Sequence, residues 1–425
     1  MNTIPRTLGL WTATSLVVGI MIGSGVFLLP ATLAPYGAAS LLGWGVTFCG
    51  ALMLALVFAW LSRAIPANGG VYAYARAGFG DGAGFLVAWS YWICCWCSNA
   101  ALAVAFAGSL SAVWPVAAST PLNSAICALS VLWFCALVNY AGARETGRMQ
   151  VITTLLKLLP LVVFGLFGLA FINADSFQPF NPSNAPLTEV TTSVAALTLW
   201  AFLGLESATI ASGNIRDPER NVPRATLMGM LIAGIVMMLA CTVVIGLLPA
   251  DILKNSSAPM ADAATALWGP LAGIGVGIVA TISCFGALNG NTLLQTQTPL
   301  AAAQDGLFPK IFGRVNAGGT PVFGLVLGTV LATALVIANS SSSLVTLFKF
   351  SILLSTAAAL LPYAVCAAAW LRLNTSAGYG KKLIALGAFI YSLWALIGTG
   401  SESLIWGAGL LLAGVPVYLW QRYKS

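Results

Sequence analysis

Long apolar stretches separated by short polar segments are the dominant pattern along this chain. Each stretch runs for about 20 residues, the length at which an α-helix crosses roughly 30 Å of hydrocarbon. A membrane β-strand would instead show about ten residues of alternating polarity. We predict twelve spans, at 10–34, 39–62, 84–112, 122–140, 149–172, 192–213, 225–248, 271–297, 321–338, 344–371, 383–399 and 403–420. The predicted fold class is an all-α polytopic membrane protein.

The amino-acid composition excludes most other classes of protein. Of the 425 residues, 59% are hydrophobic and 7% are charged, whereas a soluble domain carries about 25% charged residues. Intrinsic disorder is excluded because it requires low hydrophobicity and high charge. The net charge is +7, but the 18 Lys and Arg are scattered along the chain, so a nucleic-acid partner is not expected. The expected surroundings are a lipid bilayer.

The basic residues also predict how the chain is oriented in the membrane. If the N-terminus is cytoplasmic, fifteen of the 18 basic residues fall in inside segments, namely Arg6, Arg63, Arg76, Arg144, Arg148, Arg216, Arg220, Arg224, Lys310, Arg314, Arg372, Lys381, Lys382, Arg422 and Lys424. Because positive charge accumulates on the cytoplasmic side, both termini are predicted to be cytoplasmic. The N-terminus lacks a small-residue cleavage site, and we do not expect a removed signal peptide.

Nine cysteines lie within the predicted spans: Cys49, Cys94, Cys95, Cys97, Cys127, Cys135, Cys241, Cys284 and Cys366. The segment 94–97 contains a CxxC spacing, which invites a metal or redox interpretation. The chain has no second such pair and no histidine, so four ligands for zinc cannot be assembled locally. We favour structural packing of these thiols, and no metal or cofactor is expected.

A turn of small residues interrupts the first span. Gly23-Ser24-Gly25 stands between the apolar residues Ile22 and Val26. Glycine costs about 1 kcal/mol in a helix interior, and two glycines around a serine favour a kink or an unwound turn. The alternative is a small-residue face that packs against another membrane helix. The pattern alone does not separate the two interpretations.

The sixth span carries the second irregularity, at 200–207. Glu206 is the only acidic residue placed deep in any predicted span. Because a carboxylate inside the membrane is costly, such a residue is by default a functional-site candidate. The alternative is a structural ion pair with Lys157 or Lys349, which lie within or at the edge of other spans.

Irregular first and sixth spans are the pattern of two five-helix repeats of opposite topology. In such transporters the broken helices meet near the middle of the membrane and form the substrate site. Amides freed at 23–25 would bind a carboxylate, and carbonyls freed at 201–203 would accept hydrogen bonds from an ammonium group. Trp200 is placed to stack on a cation, with simple packing as the alternative. This geometry predicts a transporter of amino acids or related amines.

Five segments carry a family resemblance: 22–30, 69–76, 199–207, 214–223 and 305–309. With these motifs the chain resembles the amino acid–polyamine–organocation superfamily and, within it, the bacterial arginine/agmatine antiporters. The resemblance covers nearly the whole chain. It implies one transporter domain over 1–425, with inverted repeats at 8–172 and 190–373 and two additional helices at 382–420. It also implies a bacterial inner-membrane protein that is often a homodimer.

The resemblance implies binding roles for individual residues. The turn at Gly23, Ser24 and Gly25 would hold the substrate carboxylate. Trp200 would cover the side chain or its cationic head, and Leu203 would offer a backbone carbonyl. Asn99 would contact the distal end of the substrate, and Ser355 would provide a further polar contact.

The resemblance also implies gating roles. Tyr91, Glu206 and Tyr363 match the inner gate, with Glu206 as a candidate pH sensor, and Tyr72 matches a deeper gating tyrosine. The implied activity is exchange of amino acids or their decarboxylated amines, first of all arginine/agmatine-type exchange. Proton-coupled uptake is the alternative within carriers, since one titratable carboxylate serves either scheme.

Two residues depart from the pattern for arginine exchange. Ile20 stands where that pattern has an asparagine, and Asn291 stands where it has a tryptophan. One change removes a polar contact, and the other replaces an aromatic wall by an amide that can form hydrogen bonds. The pocket is therefore expected to be similar in plan and different in lining. A smaller or neutral amino acid becomes a serious alternative substrate.

Two other functional classes receive less support from the sequence. A membrane-embedded enzyme would need an acid–base pair or a metal cluster, and the chain offers no histidine and one deep carboxylate. A channel would show a continuous polar pore, whereas the polar residues here concentrate at one level of the membrane. A carrier is the predicted function.

Overall fold

A computed structural model describes residues 9–65, 69–141, 143–172, 174–210, 212, 215–338 and 343–424. The helices in these residues are α1 (Leu10–Met21), α2 (Gly25–Leu33), α3 (Ser40–Ala64), α4 (Val71–Phe79), α5 (Asp81–Leu110), α6 (Pro121–Tyr140), α7 (Ala143–Gly168), α8 (Leu187–Leu199), α9 (Ser207–Ile210), α10 (Pro218–Leu247), α11 (Ala250–Leu253), α12 (Pro259–Trp268), α13 (Pro270–Gln304), α14 (Val322–Ala338), α15 (Leu344–Leu373), α16 (Tyr379–Gly398), α17 (Gly400–Leu412) and α18 (Gly414–Lys424). Short 3₁₀ turns lie at Ala34–Ala39, Pro115–Ala118, Leu169–Phe171, Ala174–Phe177, Trp200–Phe202 and Lys310–Gly313.

The predicted class of all-helical membrane protein is confirmed. Within the described residues, nine helical stretches are long and apolar enough to cross a membrane, and two shorter apolar helices lie at Leu187–Phe202 and Val322–Ala338. The first long stretch, Leu10–Ala64, contains the predicted spans one and two. The count of twelve spans and the division into two inverted repeats stay predictions.

Burial along the helices separates a central core from a lipid-facing rim. The long helix α5 is almost entirely buried and packs mainly against α13 and α15. By contrast, α7 exposes Leu155, Leu159 and Phe167 along one side. Apolar side chains exposed over a whole helix face are expected where lipid replaces water. The core helices therefore hold the residues that surround any internal site.

Both predicted helix breaks are present. Helix α1 ends at Met21 and α2 begins at Gly25, so the turn at 23–25 is an interruption and not a continuous packing face. In the sixth span, α8 ends at Leu199, a 3₁₀ turn follows, and α9 begins at Ser207. Leu203 between them is extended, with φ −62° and ψ 135°.

The two breaks lie against each other in the core. Gly204 has φ +104°, a conformation that side-chain-bearing residues rarely adopt. A Cβ at this position would lie 2.5 Å from Ile20 Cγ2 of α1, and a Cβ at Gly25 would lie 3.0 Å from Ala201 Cβ. Only the absence of side chains at Gly25 and Gly204 allows the two interrupted spans to approach so closely.

Some sequence predictions fall on residues whose structure is not described. Arg6 lies outside the described residues, as do residues 211 and 213 of the predicted sixth span. Asn214, the first residue of the motif at 214–223, lies outside them as well.

Candidate substrate site

A small cavity lies where the two breaks meet α5 and α13. It is lined by Ile20, Met21, Gly23, Tyr91, Cys94, Ser98, Leu102, Trp200, Leu203, Gly204, Glu206 and Asn291. The volume of the cavity is about 30 Å³, and a cavity needs about 10–15 Å³ to hold one buried water. The cavity therefore has room for a few waters and is closed around a space that must widen to admit an amino acid.

The first break presents unpaired hydrogen-bond donors. Helix α2 begins after Ser24 without a side-chain cap. The Phe27 amide donates to the Ser24 carbonyl at 3.0 Å, whereas the amides of Gly25 and Val26 have no backbone partner among the described residues. The Ser24 hydroxyl is fully buried and makes no hydrogen bond to any described residue. A helix N-terminus with free amides is a binding site for a carboxylate. The break thus has the chemistry of an anion cradle, with Gly23 on the cavity wall.

The second break presents backbone acceptors. The carbonyls of Trp200 and Phe202 accept from the amides of Leu203 and Leu205, at 3.1 and 3.3 Å. Among the described residues, the carbonyls of Ala201 and Leu203 accept no backbone hydrogen bond. Leu203 lines the cavity. These carbonyls have the chemistry that an ammonium group requires.

Glu206 lines the cavity and is hydrogen-bonded to α15. Its carboxylate accepts hydrogen bonds from Tyr91 Oη at 2.6 Å, Tyr363 Oη at 2.5 Å and the Gly204 amide at 3.2 Å. These bonds join α5, α15 and the second break through one buried group. Tyr91 and Glu206 line the cavity, whereas Tyr363 lies behind Glu206 and acts on the cavity through it.

The two lysines considered as structural partners of Glu206 have other surroundings. Lys157 of α7 is completely buried, and its Nζ donates to the carbonyls of Gly19 and Ile22, each at 2.5 Å. Ser283 Oγ donates to the same Ile22 carbonyl at 3.0 Å. Lys349 is exposed. Lys157 therefore satisfies the carbonyl end of α1, and Glu206 is bonded to tyrosines instead of a lysine.

One face of α5 supplies residues that the sequence interpretation did not place in the pocket. Tyr91, Cys94, Ser98 and Leu102 all line the cavity. Their spacing of three, four and four residues puts them on one side of a helix. This periodicity, beginning at Tyr91, is the sequence signal that points to Cys94, Ser98 and Leu102.

Two predicted contact residues lie one layer behind the cavity wall. Asn99 is buried and donates from Nδ2 to Gln295 Oε1 at 2.7 Å. Ser355 Oγ donates to the Cys94 carbonyl at 3.0 Å and lies 2.5 Å from Ser98 Oγ. Neither residue is part of the cavity lining, and the substrate contacts predicted for them stay predictions.

Tyr72 lies away from the cavity, on the short helix α4. Its hydroxyl donates to Asp305 Oδ2 at 2.9 Å. Arg76 of the same helix forms ion pairs with Asp81 at the start of α5 and with Asp305 at the end of α13, each at 2.7 Å. Burial, followed by the hydrogen bond to Asp305, raises the pKa of Tyr72, so this hydroxyl stays protonated as a donor. The group ties α4, α5 and α13 together on the predicted cytoplasmic side.

We expect Arg76→Gln to loosen this side of the molecule. Both carboxylates lose their cation, and partly exposed ion pairs each contribute up to about 1 kcal/mol. Amide hydrogen exchange in α4 should therefore become about threefold to tenfold faster. Arg63→Gln is the matched control, because Arg63 is exposed and has no side-chain hydrogen bond or ion pair to a described residue. Equal exchange in the two variants would show that the ion pairs do not hold α4.

Comparison with known proteins decides the family. The amino acid permease family matches residues 8–417, which is nearly the whole chain. The chain belongs to the amino acid permease family. The superfamily resemblance found in the motifs is thereby confirmed, and the protein is a member of a family of transporters and not of enzymes.

Several curated relatives align with most of this permease. The putrescine transporter PotE of Escherichia coli (strain K12) is 30% identical over 418 residues, which cover 97% of this chain and 95% of the relative. A putative arginine/ornithine antiporter of Bacillus subtilis (strain 168) is 33% identical over 454 residues, covering 96% of each chain. The cadaverine/lysine antiporter of Escherichia coli (strain K12) is 34% identical over 334 residues, covering 78% of this chain and 74% of the relative. The relatives carry amino acids or amines, and the permease is a multi-pass membrane protein.

Proposed function

We propose that this permease exchanges neutral amino acids across a bacterial plasma membrane by alternating access. The α-carboxylate would bind the amides after Ser24, and the α-ammonium would bind the carbonyls of Ala201 and Leu203. The observation that carries the proposal is that both helix breaks contribute to one cavity, with Gly23 from the first break and Leu203 from the second in its lining. A zwitterionic backbone is the ligand that satisfies both at once.

The charge of the buried core supports a substrate without net charge. Of the side chains that the structure describes, Lys157 and Glu206 are the charged ones that are buried, at 0% and 1% exposure. They are one cation and one anion. Because an unbalanced charge inside a membrane bundle is costly, a zwitterion that adds no net charge fits better than an amino acid with a cationic side chain. The carboxylate of Glu206 also already accepts three hydrogen bonds.

Arginine/agmatine-type exchange is the second candidate function. The Trp200 indole lines the cavity, its Nε1 makes no hydrogen bond to any described residue, and an indole face attracts cations. The relatives named for putrescine, cadaverine/lysine and arginine/ornithine point the same way. Against it stand the apolar side chains of Ile20 and Leu102 on the wall.

A counterflow panel with the purified protein in proteoliposomes tests the proposal. We expect internal neutral amino acids to accelerate uptake of labelled neutral amino acids by about tenfold or more over empty vesicles, because exchange needs a loaded carrier for each half-cycle. Arginine, agmatine, lysine, putrescine and cadaverine should accelerate it much less. Exchange that occurs only among the cationic compounds would establish the second candidate. Uptake driven by a pH gradient into empty vesicles would replace exchange by proton coupling.

The orientation of the chain in the membrane and its assembly into a homodimer are part of the same proposal. Both termini are cytoplasmic in it, in agreement with the fifteen basic residues of the predicted inside segments. The homodimer implied by the resemblance stays a prediction.

A further inference from the structure

The neighbours of Asn291 allow its side-chain amide only one orientation. Its Nδ2 donates to the Cys95 carbonyl and to Asn99 Oδ1, both at 2.9 Å. An amide nitrogen carries two hydrogens, so both are used. The oxygen is the remaining hydrogen-bonding atom of this side chain, and Asn291 lines the central cavity.

A relay of buried amides fixes this orientation from behind. Asn99 Nδ2 donates to Gln295 Oε1 at 2.7 Å, and Gln295 Nε2 donates to the Leu325 carbonyl at 3.2 Å. The carbonyls of Leu325 and Cys95 at the two ends of the relay can only accept. Turning any amide around would therefore place two oxygens or two NH₂ groups against each other. With the amide held in this orientation, we infer that Oδ1 of Asn291 is the atom that faces the cavity.

The neighbouring hydroxyl of Ser98 is oriented in the same sense. Ser355 Oγ gives its one hydrogen to the Cys94 carbonyl at 3.0 Å. In the bond of 2.5 Å between Ser98 and Ser355, Ser98 must therefore be the donor. The lone pairs of the Ser98 hydroxyl remain available as acceptors. Ser98 lines the cavity and lies on the same face of α5 as Cys94. Ser98 and Asn291 thus both offer acceptors and no donor.

We propose that Asn291 and Ser98 form an acceptor pair that selects neutral amino acids carrying a hydrogen-bond donor in the side chain. The ligand class is the hydroxyl and carboxamide amino acids: serine, threonine, asparagine and glutamine. Asn99 and Gln295 are positioning residues, which act by holding the Asn291 amide. This inference rests on the proposed function, which supplies the neutral charge of the substrate, and adds the requirement for a donor.

An aliphatic side chain of the same shape would leave both acceptors without a partner. Asn291 is 9% exposed and Ser98 6% exposed, so in the closed site bulk water does not reach them freely. A site built to bond a substrate group rejects an analogue that lacks it, because the polar atoms of the site are then left unpaired. Discrimination between threonine and valine, which differ by a hydroxyl in place of a methyl group, isolates this effect.

The experiment measures exchange of threonine and of valine by the full-length protein in proteoliposomes. We expect the ratio of their transport efficiencies, Vmax/KM, to favour threonine by about tenfold to 100-fold. Asn291→Leu should bring that ratio to within about twofold. Gln295→Met should lower it by about tenfold, since the relay loses its anchor although Gln295 itself lies outside the cavity lining.

Gln297→Met is the matched control for the positioning residue. Gln297 lies on the same helix, and its side chain makes no hydrogen bond to a described residue. The threonine-to-valine ratio of this variant should equal that of the wild type. A loss of folding or of general activity would lower the exchange of both amino acids together and would leave the ratio unchanged, so the ratio separates positioning from stability. If Asn291→Leu does not fold, Gln295→Met carries the test.

The outcomes distinguish this inference from the function on which it rests. Equal exchange of threonine and valine by the wild type overturns the acceptor pair and leaves neutral amino acid exchange standing. A preference for threonine that survives unchanged in the folded variants of Asn291 and Gln295 overturns the assignment of these residues. Exchange of cationic compounds without any neutral one overturns the proposed function and this inference with it.

Discussion

Gly25→Leu is expected to abolish substrate binding in a protein that still folds and inserts. A Cβ at this position would lie 3.0 Å from Ala201 Cβ and 3.3 Å from Trp200 Cζ3. The further carbons of leucine would extend into the space where the two helix breaks meet. They would cover the amides after Ser24, which the proposal gives to the substrate carboxylate. We expect affinity to fall by about 100-fold or more, equivalent to about 2.7 kcal/mol.

A graded series makes this prediction sharper. Gly25→Ala needs a displacement of a few tenths of an ångström and should weaken binding by about threefold to tenfold. Gly45→Leu is the matched control, since a Cβ at Gly45 in α3 meets nothing within 4 Å. Binding can be measured on detergent-purified protein by the thermal stabilisation that a ligand confers. Unchanged affinity in a folded Gly25→Leu protein would show that the break does not bind the carboxylate.

The sequence is most informative about the repeated apolar runs and about the positions where polar or small residues interrupt them. Apolar runs of about 20 residues determine membrane helices directly because the bilayer has a fixed thickness. The breaks at 23–25 and 200–207 are also predictable, because glycines and an acidic residue are unusual within an otherwise apolar span. These local signals identify four of the residues that line the cavity, namely Gly23, Trp200, Leu203 and Glu206, and the family resemblance adds Tyr91 and Asn291.

Contacts between helices distant in the sequence were not predictable. The sequence allows Lys157 as a partner of Glu206, whereas in the structure Lys157 binds the carbonyl end of α1. Nothing in the local sequence states which helix end a buried lysine reaches. The same holds for the bonds of Asn99 to Gln295 and Asn291, which join α5 to α13. Side-chain direction depends on the rotation of each helix about its axis, and only the assembled bundle determines it.

Two groups of polar side chains join separate helices, one at the cavity and one at the predicted cytoplasmic end, and the two groups use different interactions. At the cavity, neutral donors of α5 and α15 converge on the single carboxylate of Glu206. At the predicted cytoplasmic end, Arg76 and two carboxylates form partly exposed ion pairs. Salt screens the exposed pairs far more than the buried cluster. Raising the ionic strength is therefore expected to weaken the ion pairs of α4 more than the hydrogen bonds of Glu206.

Glu206→Gln is expected to flatten the pH dependence of transport while leaving most of the maximal rate. The carboxylate accepts from Tyr91, from Tyr363 and from the Gly204 amide, an arrangement that suits the ionised form. Protonation puts a hydrogen on one oxygen, so the carboxyl group gains a donor and loses part of its acceptor capacity, and its hydrogen bonds to the two tyrosines become weaker. Besides Glu206 and Tyr91, Cys94 is the titratable side chain that lines the cavity among the described residues. We therefore expect the ionisation of Glu206 to control the hydrogen bonds of Tyr91 and Tyr363.

Glutamine has the shape of the protonated acid and cannot ionise. We expect exchange by Glu206→Gln to vary by less than about twofold between about pH 5 and pH 8, with a maximal rate within about tenfold of the wild type. Glu206→Asp should slow exchange and keep the pH dependence, because a carboxylate remains. Glu402→Gln, at an exposed glutamate of α17, should behave as wild type. A wild-type pH profile in well-folded Glu206→Gln would remove the sensing role, and a variant that misfolds while its surviving fraction keeps that profile would assign Glu206 to the structural support of Tyr91 and Tyr363.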